Sequence, residues 1–266
     1  MTSLAAWPGV DSRGLSTLYI VADSRISRPG SSDHWEFGVK VFASSFTPDI
    51  FGFYGDVLVP SMVLPRLVEG PLLNPLSEAQ KRHDELAKVL RHSAESLPVA
   101  RRGAFGVLHG GRNGEGMKST RHLWHTHWSP KQGWSDDPVE LDKVSALTIA
   151  LGSGDRVVTN HQIAARSELG TFSRAVFTGF CDSLISGEDP FSGGSPQLVG
   201  LYRNGSGMHF GVIMRGRSYY RGLDAEQLYV PQIEWRNELF ERCDSFGKRI
   251  EGAQAQPRLR VSETRS

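Results

Sequence analysis

Strand-like and helix-like segments come in blocks along this chain of 266 residues, and that ordering is the tightest constraint on its fold. Runs rich in β-formers cover residues 2–7, 18–22, 39–44 and 50–54, punctuated by Pro8-Gly9, Gly14 and a Gly/Ser/Pro-containing loop ahead of Asp33. From Asp56 the period changes. Val57, Val59, Met62, Val63, Leu67 and Val68 recur at helical spacing, with Pro60 and Pro65 awkward inside the run. Residues 77–97 read as a second helix with an apolar stripe of Leu86, Val89, Leu90 and Leu97, and Ser77 with Gln80 resembles a capping box. Strands follow at 104–109, 122–128 and 146–151, then helices at 156–169 and 172–185, then strands at 198–202, 209–214 and 218–220. A last amphipathic helix is expected over 233–250, on the stripe Ile233, Leu239, Phe240, Cys243, Phe246 and Ile250. A parallel βαβ sheet needs single alternation of strand and helix. Blocks favour helices layered outside antiparallel sheets, an α+β fold. One domain is expected over residues 1–251, followed by a polar, disordered tail at 252–266.

Composition removes several function classes. Lys+Arg total 30 and Asp+Glu total 29, a net charge of +1, which argues against nucleic-acid binding through a broad basic surface. Two cysteines, Cys181 and Cys243, make no disulfide framework and fit a reduced, cytoplasmic setting. No apolar run approaches the ~18–20 residues of a membrane span, and no secretory signal is visible. No phosphate-binding G-x-x-x-x-G-K-[ST] run occurs, so no ATPase of the chain's own is expected.

The chemistry starts at the second residue. Removal of Met1 ahead of the small Thr2 would leave an N-terminal threonine, which carries a hydroxyl nucleophile and an amine base on one residue. Many chains begin Met-Thr without consequence, so the feature gains weight only from motifs further along the chain. Ala22-Asp23-Ser24-Arg25 closes the second strand, Lys40-Val41-Phe42 opens the next, and Phe51-Gly52-Phe53-Tyr54-Gly55-Asp56 runs from a strand into a helix. Gly152-Ser153-Gly154 ends a strand before a helix, and Asp189-Pro190-Phe191-Ser192-Gly193-Gly194 lies between a helix and a strand.

In this order the motifs resemble the β-subunits of the proteasome and its bacterial relatives, which are N-terminal-nucleophile hydrolases. The resemblance runs over nearly the whole chain. It implies a four-layer αββα sandwich and a threonine-type endopeptidase that needs no cofactor and no metal. Residue by residue, Thr2 matches the nucleophile, Asp23 the acid that holds the lysine, Lys40 that lysine, and Gly52 the glycine whose N–H forms the oxyanion hole. Ser153, Asp189 and Ser192 match the polar set around the terminal amine. Ser27 would contact the peptide backbone, Ile50 and Tyr54 would line a pocket for apolar side chains, and Arg25 would support the Asp23 loop. The physics agrees with these roles. A lysine ammonium lowers the pKa of a neighbouring amine by like-charge repulsion, and an amide N–H at a glycine can approach a developing oxyanion closely.

Structural alternatives stand beside these roles. Asp23, Ser153 and Asp189 also suit caps or turns, Lys40 a solvated strand, Ile50 and Tyr54 a strand core, and Arg25 a surface ion pair. His122, His125 and His127 raise a metal reading, but polar positions on a half-exposed strand are favoured. The loop at 8–16 and the region 110–143 look longer than in proteasome subunits, and no long propeptide precedes Thr2. The partners expected are a peptide or unfolded-protein substrate, further copies of the chain in a homo-oligomer with a ring favoured, and a separate ATPase unfoldase, with no nucleic acid and no membrane. An amidase acting on a small amide, or a catalytically silent proteasome-like subunit, are the competing readings.

Overall fold

Alternation of side chains along β1 (Ser3–Asp11) and β2 (Gly14–Ala22) sets the architecture. Leu4, Ala6, Leu18 and Ile20 face one apolar core, while Ala5, Trp7, Tyr19 and Val21 face another, so this hairpin is buried on both sides. The computed structural model describes residues 2–27, 33–70, 73–98, 101–226 and 233–255. The hairpin is followed by the short β3 (Ile26–Ser27) and β4 (His34–Trp35), then by β5 (Val41–Ala43) and β6 (Asp49–Gly55). Helices α1 (Leu58–Glu69) and α2 (Ala79–Glu95) lead into β7 (Phe105–Asn113), β8 (Thr120–Ser129), β9 (Gly133–Val139) and β10 (Ile149–Gly152). Helices α3 (Asp155–Leu169) and α4 (Ser173–Ser186) precede β11 (Gln197–Leu201), β12 (Met208–Met214), β13 (Arg217–Tyr220) and β14 (Leu223–Asp224). The two-residue strands β15 (Trp235–Arg236) and β16 (Arg242–Cys243) follow.

The strands form two main sheets. One has the order β10-β1-β2-β11-β12-β13-β14, with β15 and β16 branching from β12, and the other runs β5-β6-β7-β8-β9. Pairing within the second sheet is antiparallel throughout. The three largest apolar clusters among the described residues lie against these sheets. Phe42, Phe53 and Phe105 of the second sheet pack with Leu64 of α1 and Leu90 of α2. Ile50, Leu108 and Leu123 of the same sheet pack with Leu4, Ile20 and Val199 of the first. On the far side of the first sheet, Trp7 and Val21 meet Val158 of α3 and Phe177 of α4. No helix among the described residues is long and apolar enough to cross a membrane.

Several local expectations are corrected. The loop expected at 8–16 is strand: Pro8 pairs with Leu18 and Gly9 with Thr17, a bulge follows, and a tight turn joins Asp11 to Gly14, whose φ of +96° suits glycine. Pro60 sits in the first turn of α1, where its missing N–H costs nothing, and Pro65 is accommodated further inside. The Ser77–Gln80 capping box does not form. Helix α2 starts after Glu78, and the Ala79 N–H is taken by Asn113 Oδ1 at 2.6 Å. Strand β9 escaped the hydrophobic pattern because it is a charged edge bearing Asp136, Asp137 and Pro138. The helix expected over 233–250 is absent. Asn237 Oδ1 accepts from the N–H groups of Leu239 and Glu241, and Asp244 Oδ1 from those of Phe246 and Lys248. These side-chain turns, with Phe240 at φ +61° and Gly247 at φ +82°, outcompete a helix whose stripe has no single face to cover. Phe240 packs on Trp7 and Tyr19, while Phe246 is 90% exposed. Of the tail expected at 252–266, residues 256–266 lie outside the described residues.

Candidate active site

The ends of β1, β2 and β10 converge on one polar cluster. Pairing of β1 with β2 continues one step past Ala22, where the Asp23 N–H donates to Ser3 O at 3.1 Å. That step buries the Asp23 carboxylate completely, facing the equally buried Lys40 just ahead of β5. Lys40 Nζ donates to Asp23 Oδ1 at 2.7 Å and also to the Arg25 carbonyl oxygen. Asp23 receives three backbone N–H groups besides: Ser3 on Oδ1 at 3.1 Å, and Gly193 and Arg25 on Oδ2 at 3.0 and 3.2 Å. Burial pushes the Asp23 carboxyl up, against the ammonium and these amides, and it pushes the Lys40 ammonium down, against the carboxylate.

A second group sits on the helix-facing side of β1. The turn between β10 and α3 presents Ser153, whose hydroxyl donates to Asp189 Oδ2 at 2.8 Å. Ser192 donates to the same oxygen at 2.6 Å, and the Phe191 N–H holds Asp189 Oδ1 at 3.1 Å. The Thr2 nitrogen lies 3.2 Å from Ser153 Oγ, and Thr2 is 1% exposed. Because the Ser153 proton is committed to Asp189, Ser153 accepts from the Thr2 nitrogen.

Six of the expected residues are therefore brought together: Thr2, Ser153, Asp189 and Ser192 by one set of hydrogen bonds, Asp23 and Lys40 by the other. Arg25 joins them through its backbone. Its guanidinium holds Glu36 at 2.7 Å and the Pro190 carbonyl at 2.9 Å, lying across Gly193 where any Cβ would collide with it. Ser27 gives its hydroxyl to the Phe191 carbonyl at 3.0 Å, so it ties β3 to the 189–194 loop.

Other expected residues are placed elsewhere. Phe53 N–H donates to Lys40 O at 3.0 Å, so strand alternation turns the Gly52 N–H the other way, toward Leu108 of β7. A Cβ on Gly52 would meet Leu4 and Ile20, so this glycine lets the two sheets approach rather than presenting an amide to an oxyanion. Ile50 is fully buried between the sheets and lines no cleft there. Tyr54 is half-buried, with its ring across Gly106 and its hydroxyl 3.0 Å from His125 Nε2. Burial pushes the Tyr54 phenol up to about 12. Tyr54 also packs against the apolar core that holds Ile50. Among the described residues no group of three or more His, Cys, Asp or Glu is arranged to hold a metal ion.

Two residues missed in the sequence belong to this site. Gln197, at the start of β11, accepts from the Lys40 N–H at 3.1 Å and donates to the carbonyls of Asp23 and Gly38. Ser3 binds both halves of the cluster. The only sequence signal for either was a polar residue heading an otherwise apolar strand.

No family model matches the chain, and no curated protein matches it in sequence. Its fold is similar to that of solved bacterial structures. The Gly-1 mutant of Anbu from Hyphomicrobium sp. strain MC1 superposes with a TM-score of 0.51 at 13% identity, covering 86% of this chain and 90% of that one. Anbu, described as an ancestral beta-subunit, from Yersinia bercovieri gives 0.51 at 11% identity, covering 77% and 86%. The fold is proteasome-like. At such identities the likeness is one of fold, and the chemistry rests on the hydrogen bonds described above.

Proposed function

We propose that the chain is a threonine-type peptidase built on the four-layer αββα sandwich of the N-terminal-nucleophile hydrolases. The observation that carries this reading is the meeting of two polar groups at the start of β1: Ser153–Asp189 on the Thr2 nitrogen, and the buried Asp23–Lys40 pair on the next residue. With the residue ahead of Thr2 removed, Ser153 would accept one N–H of the free amine. The amine lone pair would take the Thr2 hydroxyl proton as Oγ attacks a peptide carbonyl. The proton would pass to the leaving amine as the C–N bond breaks. Water would then hydrolyse the resulting ester, with the amine again as base. Lys40 would keep the amine's pKa low and would stabilise the alkoxide. Gly52 has no part in this scheme, because its amide faces the sheet.

The test of Lys40 must respect its burial. Lys40→Met leaves the Asp23 carboxylate buried without a cation, an expected loss of about 3–5 kcal/mol. Asp23→Asn/Lys40→Met removes both charges and is expected to recover most of that stability in urea unfolding. Turnover should stay below wild type by about 100-fold or more, in the range of a lost electrostatic stabiliser. Wild-type turnover in the double variant sinks the role.

In the same reading the chain acts on peptides or unfolded proteins as a homo-oligomeric ring, served by a separate ATPase unfoldase. Support for self-association comes from α1, where Leu58 and Met62 are 38% and 53% exposed beside the apolar core they flank. Light scattering at micromolar concentration is expected to give a multiple of 29.3 kDa, and a mass near 29.3 kDa overturns the ring.

A further inference from the structure

Ser3 is bonded to both halves of the cluster. Its N–H donates to Asp23 Oδ1 at 3.1 Å and its carbonyl accepts from the Asp23 N–H at 3.1 Å. Its hydroxyl donates to Ser192 Oγ at 2.8 Å on the opposite side of the strand. Ser192 passes the chain on to Asp189 Oδ2, which also takes the Ser153 hydroxyl. Ser3, Ser192 and Asp189 are buried. Space is reserved for the arrangement: Gly154 lies against the Ser3 hydroxyl, and a Cβ there would fall on Oγ.

We infer that Ser3 is a positioning residue for the Thr2 amine, acting through the relay Ser3–Ser192–Asp189–Ser153. This rests on Thr2 being the nucleophile. The backbone of Ser3 is clamped by Asp23, so it presents its hydroxyl to Ser192 at a fixed place. A donor arriving at Ser192 Oγ polarises the Ser192 O–H toward Asp189 and draws off part of the carboxylate charge. Without that donor, Asp189 pulls harder on the Ser153 proton, and Ser153 Oγ becomes a better acceptor for an ammonium at Thr2. The amine then holds its proton to higher pH, and the neutral base is scarcer at neutral pH.

The experiment measures covalent labelling of the N-terminal threonine by a β-lactone probe, followed by intact mass, as a rate against pH. Ser3→Ala removes only the hydroxyl. Gly154→Ala keeps the serine but displaces its hydroxyl and also presses on Asp189 Oδ2 and Ser192 Oγ, each 3.0 Å from the added Cβ, so it tests the relay as a whole should the first variant fail to fold. Both are expected to label about 10–100-fold more slowly at neutral pH, the scale on which partners outside a site's immediate ligands act. The midpoint of the rate profile should move to higher pH. A purely structural role would lower the unfolding midpoint without moving that profile. Labelling of either folded variant at the wild-type rate with the wild-type midpoint overturns the inference and leaves Thr2 in place. If the wild type takes no label, the Thr2 reading fails and the relay's purpose fails with it.

Discussion

Thr2→Ala is expected to eliminate labelling by β-lactone and epoxyketone probes and to lower peptide turnover by about 10⁴-fold or more, as removal of a covalent nucleophile does. The substitution deletes a hydroxyl and a methyl from a buried position, so some loss of stability is expected with it. Circular dichroism and urea unfolding separate that loss from the loss of chemistry. Thr2→Ser keeps the hydroxyl and the amine and should retain labelling at a reduced rate. The same intact-mass measurement reports whether Thr2 is the first residue, which the mechanism requires because an amide nitrogen is no base. Normal turnover in Thr2→Ala ends the proposed mechanism. Turnover lost from a folded variant, without any label on the wild type, would point instead to a Thr2 that binds rather than attacks.

The parts of this site that were legible in the sequence lie at strand ends. Asp23, Lys40 and Ser153 each follow or precede a clear apolar run, and the strand pairing that their neighbours dictate carries them to one place. Gly52 misled because the strand around it has a period of two. Whether its amide faced a substrate or a neighbouring strand depended on a register that only the Phe53–Lys40 bond fixes. Ser3 and Gln197 were silent because their roles come from partners far away in the chain: Ser192 for one, Lys40 and Asp23 for the other. The 233–250 segment shows the opposite failure. Its apolar spacing suits a helix, yet Asn237 and Asp244 satisfy the backbone locally in turns, Gly247 takes a φ of +82°, and Phe240 packs against Trp7. The histidines of β8 draw the eye by their spacing, whereas two histidines far apart in sequence, His83 and His109, occupy a buried polar network between α2 and that sheet.

That network carries an expected effect on stability as large as that at Lys40. Asp49, at the start of β6 and fully buried, accepts from Arg82 Nε at 2.7 Å on Oδ2, and from Arg82 Nη2 at 3.1 Å and His109 Nε2 at 3.0 Å on Oδ1. His109 Nδ1 faces His83 Nδ1 at 3.1 Å, and His83 Nε2 reaches Asp136 Oδ1 on the edge strand at 3.0 Å. The imidazole of His83 stacks on Trp124 at 4.6 Å, and that of His109 on Phe51 at 4.7 Å. Asp49→Asn leaves the Arg82 guanidinium buried without a counter-charge, so a loss of about 3–5 kcal/mol is expected by urea unfolding. Asp49→Asn/Arg82→Met should recover much of it, since the damage is the unpaired charge rather than the missing bond. The pH dependence has a definite sign. Burial holds His109 below the ordinary histidine range against the pull of Asp49, so its proton is taken up only on unfolding, and stability falls as pH drops below about 6.5. Burial pushes Asp49 up, but the bonds from His109 and Arg82 outweigh it and hold the carboxyl low. Its contribution is therefore complete above the unfolded value near 3.9 and is lost as pH falls through the lower folded value. In Asp49→Asn that lower segment of the acid slope should disappear. A variant with the wild-type urea midpoint and the wild-type acid profile would show that α2 is held to the sheet by its apolar face alone. The consequence reaches the site, because β6 runs from Asp49 past Gly52 to the Phe53 N–H that holds the Lys40 carbonyl. Loosening this anchor in Asp49→Asn is expected to lower turnover together with stability, through the Lys40 backbone that β6 holds.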